Sequence, residues 1–125
     1  YWRKRLGGGM RQAGVLAACG IVSLTSMVAK LADDHRRAKA LAHRLGGLAG
    51  AHVDLSLVET NFVMIDTDQP ASEWVVALKR HGLLAMANGP RRVRLVFHHQ
   101  VDDQGVERAV AAFQAASAEL ALATV

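Results

Sequence analysis

Apolar residues recur at three- and four-residue spacing through the first third of the chain, as they do on one face of a long helix. The positions, from about Met10 onward, are Val15, Cys19, Val22, Leu31, Ala38, Leu41, Leu45 and Leu48. Residues 13–22 are apolar almost all round, whereas residues 33–44 alternate in charge. We therefore expect other protein to bury the first part and solvent to reach one side of the second part.

A helix from Arg11 to Leu45 would be about 50 Å long at 1.5 Å per residue, which is too long for a lone 125-residue domain to cover. Either a bend near Gly20 folds the apolar start back, or a missing domain or a second subunit covers it. Residues 14–29 are uncharged, but they are fewer than the roughly 20 that a bilayer needs. A buried helix is therefore expected, with no membrane partner. Gly46, at a position that favours a left-handed cap, is expected to end the helix.

The rest of the chain alternates between strand and helix patterns. Alternation at Val53, Leu55 and Leu57 predicts a half-buried strand, and the apolar run 62–65 predicts a more central one. The remaining expected elements are a helix opened by Pro70 and ended by Gly82, short strands over 83–87 and 92–97, and a last helix capped by Asp102 or Asp103. The expected inner positions of the two helices are Trp74, Val75 and Leu78, and then Val106, Val110, Phe113, Ser117 and Leu120.

These elements predict an α/β chain with an α+β small domain: a long N-terminal helix followed by a β-β-α-β-β-α unit. The predicted division is a basic, Gly-rich loop and long linking helix at 1–48, and a small α/β C-terminal domain at 49–125. Within strand 92–97 the period of two puts Val93, Leu95 and Phe97 on one face, and Arg92, Arg94 and Val96 on the other. Arg94 is therefore expected to point away from the core.

Charge is unevenly distributed in a chain of formal net charge +4. The first 32 residues hold no acid, and Arg3, Lys4, Arg5 and Arg11 are clustered within the first 11; a second basic cluster contains Arg91, Arg92 and Arg94. Only 5% of residues are aromatic and no nucleic-acid-binding motif appears, so two small anion sites fit better than a nucleic-acid surface. The lone Cys19 lies in an apolar stretch, which favours a buried thiol and a cytoplasmic location.

A glycine triplet, residues 7–9, separates the first basic run from the apolar helix. Glycine permits a hinge there, and a helix start with unpaired N–H groups suits a carboxylate or phosphate. The run RKRLGGGMRQAGVLAACG resembles the segment that follows the cofactor-bearing lysine in low-specificity L-threonine aldolases. These are pyridoxal-phosphate enzymes of fold type I, in the beta-eliminating lyase/threonine aldolase family. The runs VETNFVMID, at 58–66, and VRLVFHHQVDDQGVERAVAAF, at 93–113, fit the same family in the same order.

The sequence departs from that family in having Phe97 where threonine usually precedes the histidine, and in lacking the amino-terminal part. The resemblance implies the small C-terminal domain of the aspartate-aminotransferase fold. It also implies pyridoxal 5'-phosphate as the cofactor, a homotetramer, and cleavage of threonine or allo-threonine to glycine and an aldehyde. Alternatives from other classes are a non-catalytic module that binds an amino acid or mediates assembly, and another fold-type-I lyase.

The resemblance also implies roles for single residues. Arg94, in RLV-x-H, matches the arginine that grips the substrate's carboxylate, and a planar guanidinium suits two parallel hydrogen bonds to a carboxylate. Lys4 and Arg11 match residues that reach toward the cofactor phosphate or the substrate, in an active site that we expect to belong to a neighbouring subunit. From the residues alone, Arg94 fits an exposed arginine on an edge strand better than a ligand-binding one, whereas Lys4 and Arg11 fit a solvated basic loop as well as an anion site.

No catalytic residue is assigned to this chain. Pyridoxal chemistry needs a lysine bonded to the cofactor, and all four lysines lie after the place where the family keeps it; they are Lys4, Lys30, Lys39 and Lys79. His98, which matches the family's histidine, and His99 are expected to point to opposite faces of a strand. His35 and His43 lack an acidic ligand at zinc spacing, so no metal site is predicted.

Overall fold

The computed structural model describes residues 1–123. Its contacts divide the chain into two compact units, Tyr1–Lys30 and Leu31–Val125. The charged second half of the expected long helix thus belongs with the sheet domain by its contacts. The division at residues 48 and 49 stays a prediction.

The first unit is helical. It contains α1 (Trp2–Arg5), α2 (Gly14–Val22), a π-helical turn (Ser23–Met27) and a 3₁₀ turn (Val28–Lys30). Gly20 lies within α2, and the helix changes type only from Ser23 onward. The hydroxyls of Ser23 and Thr25 donate to the carbonyls of Cys19 and Ile21, four residues back, and such bonds compete with regular helix geometry.

No residue of α2 is buried. Its exposed apolar side chains include Val15, Leu16, Ile21 and Val22, and Cys19 is exposed as well, so the expectation of a buried thiol is wrong for this chain by itself. By length and composition, the helical run Gly14–Leu45 could cross a membrane, since its 18-residue apolar window has a mean hydropathy of 1.9. Core helices of soluble proteins meet the same criteria, so these two properties do not establish a membrane span.

The second unit starts with α3 (Leu31–Leu45) and continues with strands and two further helices. In chain order these are β1 (Ala51–His52), a 3₁₀ turn (Leu55–Leu57), β2 (Phe62–Thr67), α4 (Ala71–Arg80), β3 (Met86–Ala87), β4 (Arg92–Val96) and α5 (Asp103–Leu122). The predicted β-β-α-β-β-α order is confirmed. The strands form one sheet in the order β1-β2-β4-β3, with every neighbouring pair antiparallel.

The prediction of a strand through Val53, Leu55 and Leu57 is wrong, because the first strand ends at His52 and Leu55–Leu57 is a 3₁₀ turn. Asp54 explains the difference. Its carboxylate accepts hydrogen bonds from the backbone N–H and the hydroxyl of Ser56, and this local turn competes with strand pairing. Leu57 is consequently 73% exposed rather than half-buried.

The helix α3 ends at Leu45, as expected, but the left-handed residue after it is Gly47, at φ +84°, and not Gly46. The predicted strand parity is confirmed, since Val93, Leu95 and Phe97 are buried. The predicted inner stripe of α5 is buried in full, and in α4 Trp74 and Leu78 are buried while Val75 is half-buried. Asp102 caps α5, with its Oδ1 accepting from the Gly105 N–H at 2.7 Å.

The helices α3, α4 and α5 pack on one face of the sheet and the core lies between these two layers. Trp74 and Phe113 meet at its centre, with ring centroids 5.8 Å apart. Ion pairs join α3 to α5 at the surface. Asp103 accepts hydrogen bonds from Arg36 at 2.8 Å and from Arg37 at 3.0 Å.

The apolar surface of α2 predicts association. Leaving such side chains in water forgoes about 25 cal/mol per Å² of apolar surface, so we expect residues 13–22 to lie against other protein. Sedimentation of the 125-residue chain should detect self-association that Ile21→Lys weakens. The matched control is Leu57→Lys, which adds the same charge at an exposed leucine of the second unit. A chain that sediments as a monomer with residues 13–22 uncovered contradicts this prediction.

The Asp103 ion pairs predict a loss of stability in acid. Hydrogen bonds from Arg36 and then Arg37 hold the pKa of Asp103 below its usual 3.8. A carboxyl group whose pKa is lowered by folding stabilises the fold at pH values above its unfolded-state pKa. That stabilisation is lost as the pH falls through its folded-state pKa. Between pH 5 and pH 2, the unfolding temperature of Asp103→Asn should therefore fall less than that of the unchanged chain. Glu59→Gln is the matched control, because it removes an exposed carboxylate that has no hydrogen bond or ion pair within the described residues.

Candidate carboxylate-binding site

The face of the sheet opposite the helices carries the two arginines of the candidate site, Arg92 and Arg94. Antiparallel register places Met64, Arg94 and Met86 side by side on β2, β4 and β3. Asp66 and Arg92 form the next pair along the strands. Among the described strand residues, the side chains on this face are exposed or half-buried.

Arg92 is neutralised by a fixed carboxylate. Its Nε and Nη2 donate to the two carboxylate oxygens of Asp66 at 2.6 and 2.9 Å. The hydrogen bond from Arg92 lowers the pKa of Asp66, and the same bond raises the pKa of Arg92. Two parallel charge-assisted bonds occupy one edge of the guanidinium, so Arg92 is poorly placed to bind a second anion.

Arg94 is two residues beyond Arg92, on the same strand and the same face, and it has no acidic partner among residues 1–123. Its Nη2 donates to the sulfur of Met86 at 3.6 Å, and its Cζ lies 5.8 Å from the centroid of the Phe62 ring. Its Nε is buried and donates to no acceptor. A buried donor without a partner costs about 1–3 kcal/mol, and buried polar groups are usually paired. The arrangement therefore suits an anion that comes from outside the described residues.

A cavity of about 370 Å³ adjoins Arg94 at the β3 edge of the sheet, beside the start of that strand, and it extends toward α3 and α5, which also line it. Arg94 and His98 both line it, together with Met86 and with apolar side chains that include Leu83 and Phe97. The structure thus brings together the arginine and the histidine of the RLV-x-H motif. A cavity with mostly apolar walls and one free cation fits a small molecule that carries a single carboxylate.

His98 and His99 follow β4, which ends at Val96, so the expectation that they point to opposite faces of a strand is wrong. Their ring centroids are 6.3 Å apart. The Nδ1 of His98 accepts from the N–H of Gln100, which turns the chain away from the strand. Among residues 1–123, no group of three His, Cys, Asp or Glu side chains is placed to hold a metal ion.

Lys4 and Arg11 lie in the first unit, on α1 and in the bend before α2. Both are exposed, and within the described chain neither side chain has a hydrogen bond or ion pair. Arg5 differs, because its guanidinium stacks 5.2 Å from the Tyr1 ring centroid and donates to the Tyr1 hydroxyl. The N-cap of α2 is Ala13, which offers no side-chain acceptor to the first N–H groups of the helix. Lys4 and Arg11 are thus available to an anion, and their role stays a prediction.

A family model described as beta-eliminating lyase matches residues 1–69, more than half of the chain. The chain belongs to the beta-eliminating lyase family. It is 40% identical over 118 residues to the Probable low-specificity L-threonine aldolase 2 of Arabidopsis thaliana, a match that covers 91% of this chain and 33% of the relative. It is also 37% identical over 114 residues to the Low specificity L-threonine aldolase of Escherichia coli strain K12, with the same coverage of each chain.

The chain therefore spans about a third of the length of the curated relatives that it matches. The predicted resemblance to low-specificity threonine aldolases is confirmed. The fold resembles a crystal structure of a protein from Exiguobacterium sp. 255-15, provisionally described as an aromatic amino acid beta-eliminating lyase/threonine aldolase. That match has a TM-score of 0.62 at 17% identity, and covers 92% of this chain and 36% of the other. The predicted fold class is confirmed.

The unpaired cations of the described chain fit some parts of a pyridoxal-phosphate site, but its lysines do not fit the part that holds the cofactor covalently. Lys4, Arg11 and Arg94 suit the anionic groups of a cofactor or a substrate. All four lysines of the chain are exposed, and none lines the cavity beside Arg94. The described residues can thus hold a carboxylate or a phosphate, but they offer no enclosed lysine for covalent attachment of the cofactor.

Sequence reasoning finds Arg94 but misses its contacts with Phe62 and Met86. The apolar pattern predicts only strand positions for those two residues, and it assigns Arg92 no partner. The contact of Phe62 and Met86 with Arg94 depends on the register between strands, which is not written in any one segment. The signal for the Arg92–Asp66 pair is that the apolar, core-facing residues of β2 and β4 have odd numbers. This pattern puts Asp66 and Arg92 on the same face of the sheet, but it does not show that they are opposite each other.

The exposure of the lysines predicts how the 125-residue chain behaves on its own. Mixed with pyridoxal phosphate, it should form no specific one-to-one covalent adduct, and it should not cleave threonine. Absorption spectroscopy of the mixture tests the first expectation, and an aldehyde assay tests the second. A cofactor band that one of the four lysine substitutions abolishes would overturn this prediction.

Proposed function

We propose that this chain is the part of a pyridoxal-phosphate-dependent, threonine-aldolase-like lyase that binds the substrate's carboxylate. The observation that carries the proposal is Arg94, a half-buried guanidinium without an acidic partner in the described chain, beside a cavity of about 370 Å³. The membership in the beta-eliminating lyase family and the threonine-aldolase relatives support the reaction class.

Arg94 acts by orienting the amino acid. Two parallel N–H bonds from one guanidinium to one carboxylate fix both the position and the plane of that group, and strand β4 holds the arginine rigidly. Fixing the carboxylate restricts rotation about the bond to Cα, and so directs which bond at Cα is set for cleavage. The cofactor, when bound, supplies the electron sink for the carbon–carbon bond cleavage.

The substrate is a β-hydroxy-α-amino acid such as threonine or allo-threonine, which is split into glycine and an aldehyde. Lys4 and Arg11 bind the cofactor phosphate or the substrate region, in an active site that we assign to a neighbouring subunit. Both are exposed cations without a partner in the described chain, which supports that role. We further propose a homo-oligomer, a tetramer by resemblance, in the cytoplasm; the uncovered apolar side chains of α2 support the assembly.

A chimera provides the direct test. Residues 1–125 replace the matching segment of the Escherichia coli relative, which supplies the other two-thirds of the protein, and purified chimera is given threonine and pyridoxal phosphate. Glycine and acetaldehyde should form in equal amounts. A chimera that folds and binds the cofactor but yields neither product contradicts the proposal. Formation of a keto acid and ammonia instead would favour a β-eliminating lyase, the second reaction class that the family description allows.

Arg94→Lys in the active chimera should weaken catalysis far more than its preserved charge suggests. Lysine cannot form the bidentate pair, and hydrogen bonds to charged groups are worth about 1.5–3 kcal/mol, so kcat/KM for threonine should fall roughly ten- to a hundredfold. The fold and the cofactor's absorption should not change, because the site of substitution faces away from the core.

Arg92→Lys is the matched control on the same strand and face. Its guanidinium is already paired with Asp66 and is half-exposed, so kcat/KM should change by less than about threefold, as for a surface substitution. Equal kcat/KM values for the two lysine variants would show that Arg94 has no special carboxylate role.

A further inference from the structure

The surroundings of Arg94 differ from those of Arg92 in a way that the carboxylate role alone does not require. Arg92 is bonded to a carboxylate, whereas the groups nearest to Arg94 are a thioether and an aromatic ring, both uncharged. Both groups are weak partners that leave a guanidinium its full positive charge. A ring face attracts a cation through its quadrupole, and a thioether sulfur is only a weak hydrogen-bond acceptor.

Strand register places these two partners on different sides of Arg94. Met86 is its directly opposite neighbour on β3. Phe62 is on β2, where Met64 is the direct neighbour of Arg94 and Phe62 is the next residue on the same face. A guanidinium contacted from both neighbouring strands has few alternative rotamers, and the Nε of Arg94 is buried.

We propose that Phe62 and Met86 are positioning residues that hold the Arg94 guanidinium in its binding orientation without neutralising it. This inference rests on the proposed carboxylate role of Arg94. An acid at either position would order the arginine equally well, but it would also compete with the ligand. Uncharged partners order the side chain in advance and leave its donors to the incoming carboxylate, which lowers the entropy that binding must lose.

The experiment measures carboxylate binding at Arg94 in the full 125-residue chain, independently of catalysis. Phenylglyoxal modifies free guanidinium groups, and mass spectrometry reports the rate at each arginine. Acetate is the probe carboxylate, and the concentration that halves the modification rate of Arg94 measures its affinity. Acetate should protect Arg94 and should have little effect on Arg92, which is already bonded to Asp66.

Phe62→Leu and Met86→Leu should each raise the half-protecting acetate concentration about two- to fivefold, as the loss of a partly exposed cation–π or sulfur contact implies. Phe62→Tyr keeps the ring face and should retain the original value. Met64→Leu is the matched control, because Met64 lies in the same row but no hydrogen bond joins its sulfur to Arg94 within the described chain. All these variants should unfold at nearly the same temperature.

Met86→Glu is the sharpest variant. It puts a carboxylate at an exposed position, 60% accessible, opposite Arg94 and should abolish protection by acetate. Val76→Glu adds the same charge at an exposed site on α4 and should leave protection unchanged. Unprotected Arg94 in the original chain, or equal protection in the Phe62, Met86 and Met64 variants, would overturn the inference.

The two proposals fail separately. An inactive chimera whose Arg94 is still protected by acetate, and loses that protection in Met86→Glu, would contradict the proposed aldolase function and support the positioning role. An active chimera that depends on Arg94 would support the proposed enzyme function. If substitutions at Phe62 and Met86 then left the protection of Arg94 by acetate unchanged, the positioning role would be contradicted.

Discussion

The antiparallel pairing of β2 with β4 is the constraint on which the rest of the second unit depends. These are the two central strands of the sheet, and their register fixes which residues face the helices. Val63, Ile65, Val93 and Leu95 are buried together on one face because the side-chain period of a strand is two. A slip of one residue would move both arginines into the core, where unpaired charges are not tolerated.

The same register gives two arginines on one strand and one face different chemistry. Arg92 is opposite Asp66, and the two form a bidentate ion pair. Arg94 is opposite two methionines, and its charge is left without a partner in the described chain. The proposed substrate site therefore follows from which side chains the neighbouring strands place beside each arginine, since the two share the same strand, face and charge.

The parts of the fold that the sequence predicts well have a strong period and a clear boundary. Strand β4 and helix α5 are such parts, because each has an uninterrupted apolar stripe and Asp102 marks the start of α5. The region after α3 has weaker signals. The Asp54–Ser56 turn overrides the apolar alternation of residues 53–57, and side-chain capping of this kind is hard to rank against a strand pattern from composition alone.

The sequence predicts the candidate site only in part, as it does the fold. Strand parity was enough to turn Arg94 away from the core, and the family resemblance assigned it a carboxylate. The neighbours that hold it, Phe62 and Met86, lie 32 and eight residues away along the chain and meet it only through strand pairing. Long-range pairing is what a single sequence encodes least directly, which is also why the Arg92–Asp66 ion pair was missed.

The central claim is that Arg94 binds the carboxylate of an amino acid. A crystal structure of the chimera with pyridoxal phosphate and glycine tests it most directly, because glycine carries the same carboxylate as the substrate. The account predicts both carboxylate oxygens about 2.7–2.9 Å from nitrogens of the Arg94 guanidinium. Glycine bound elsewhere, or Arg94 paired with an acid from the remainder of the protein, would contradict it.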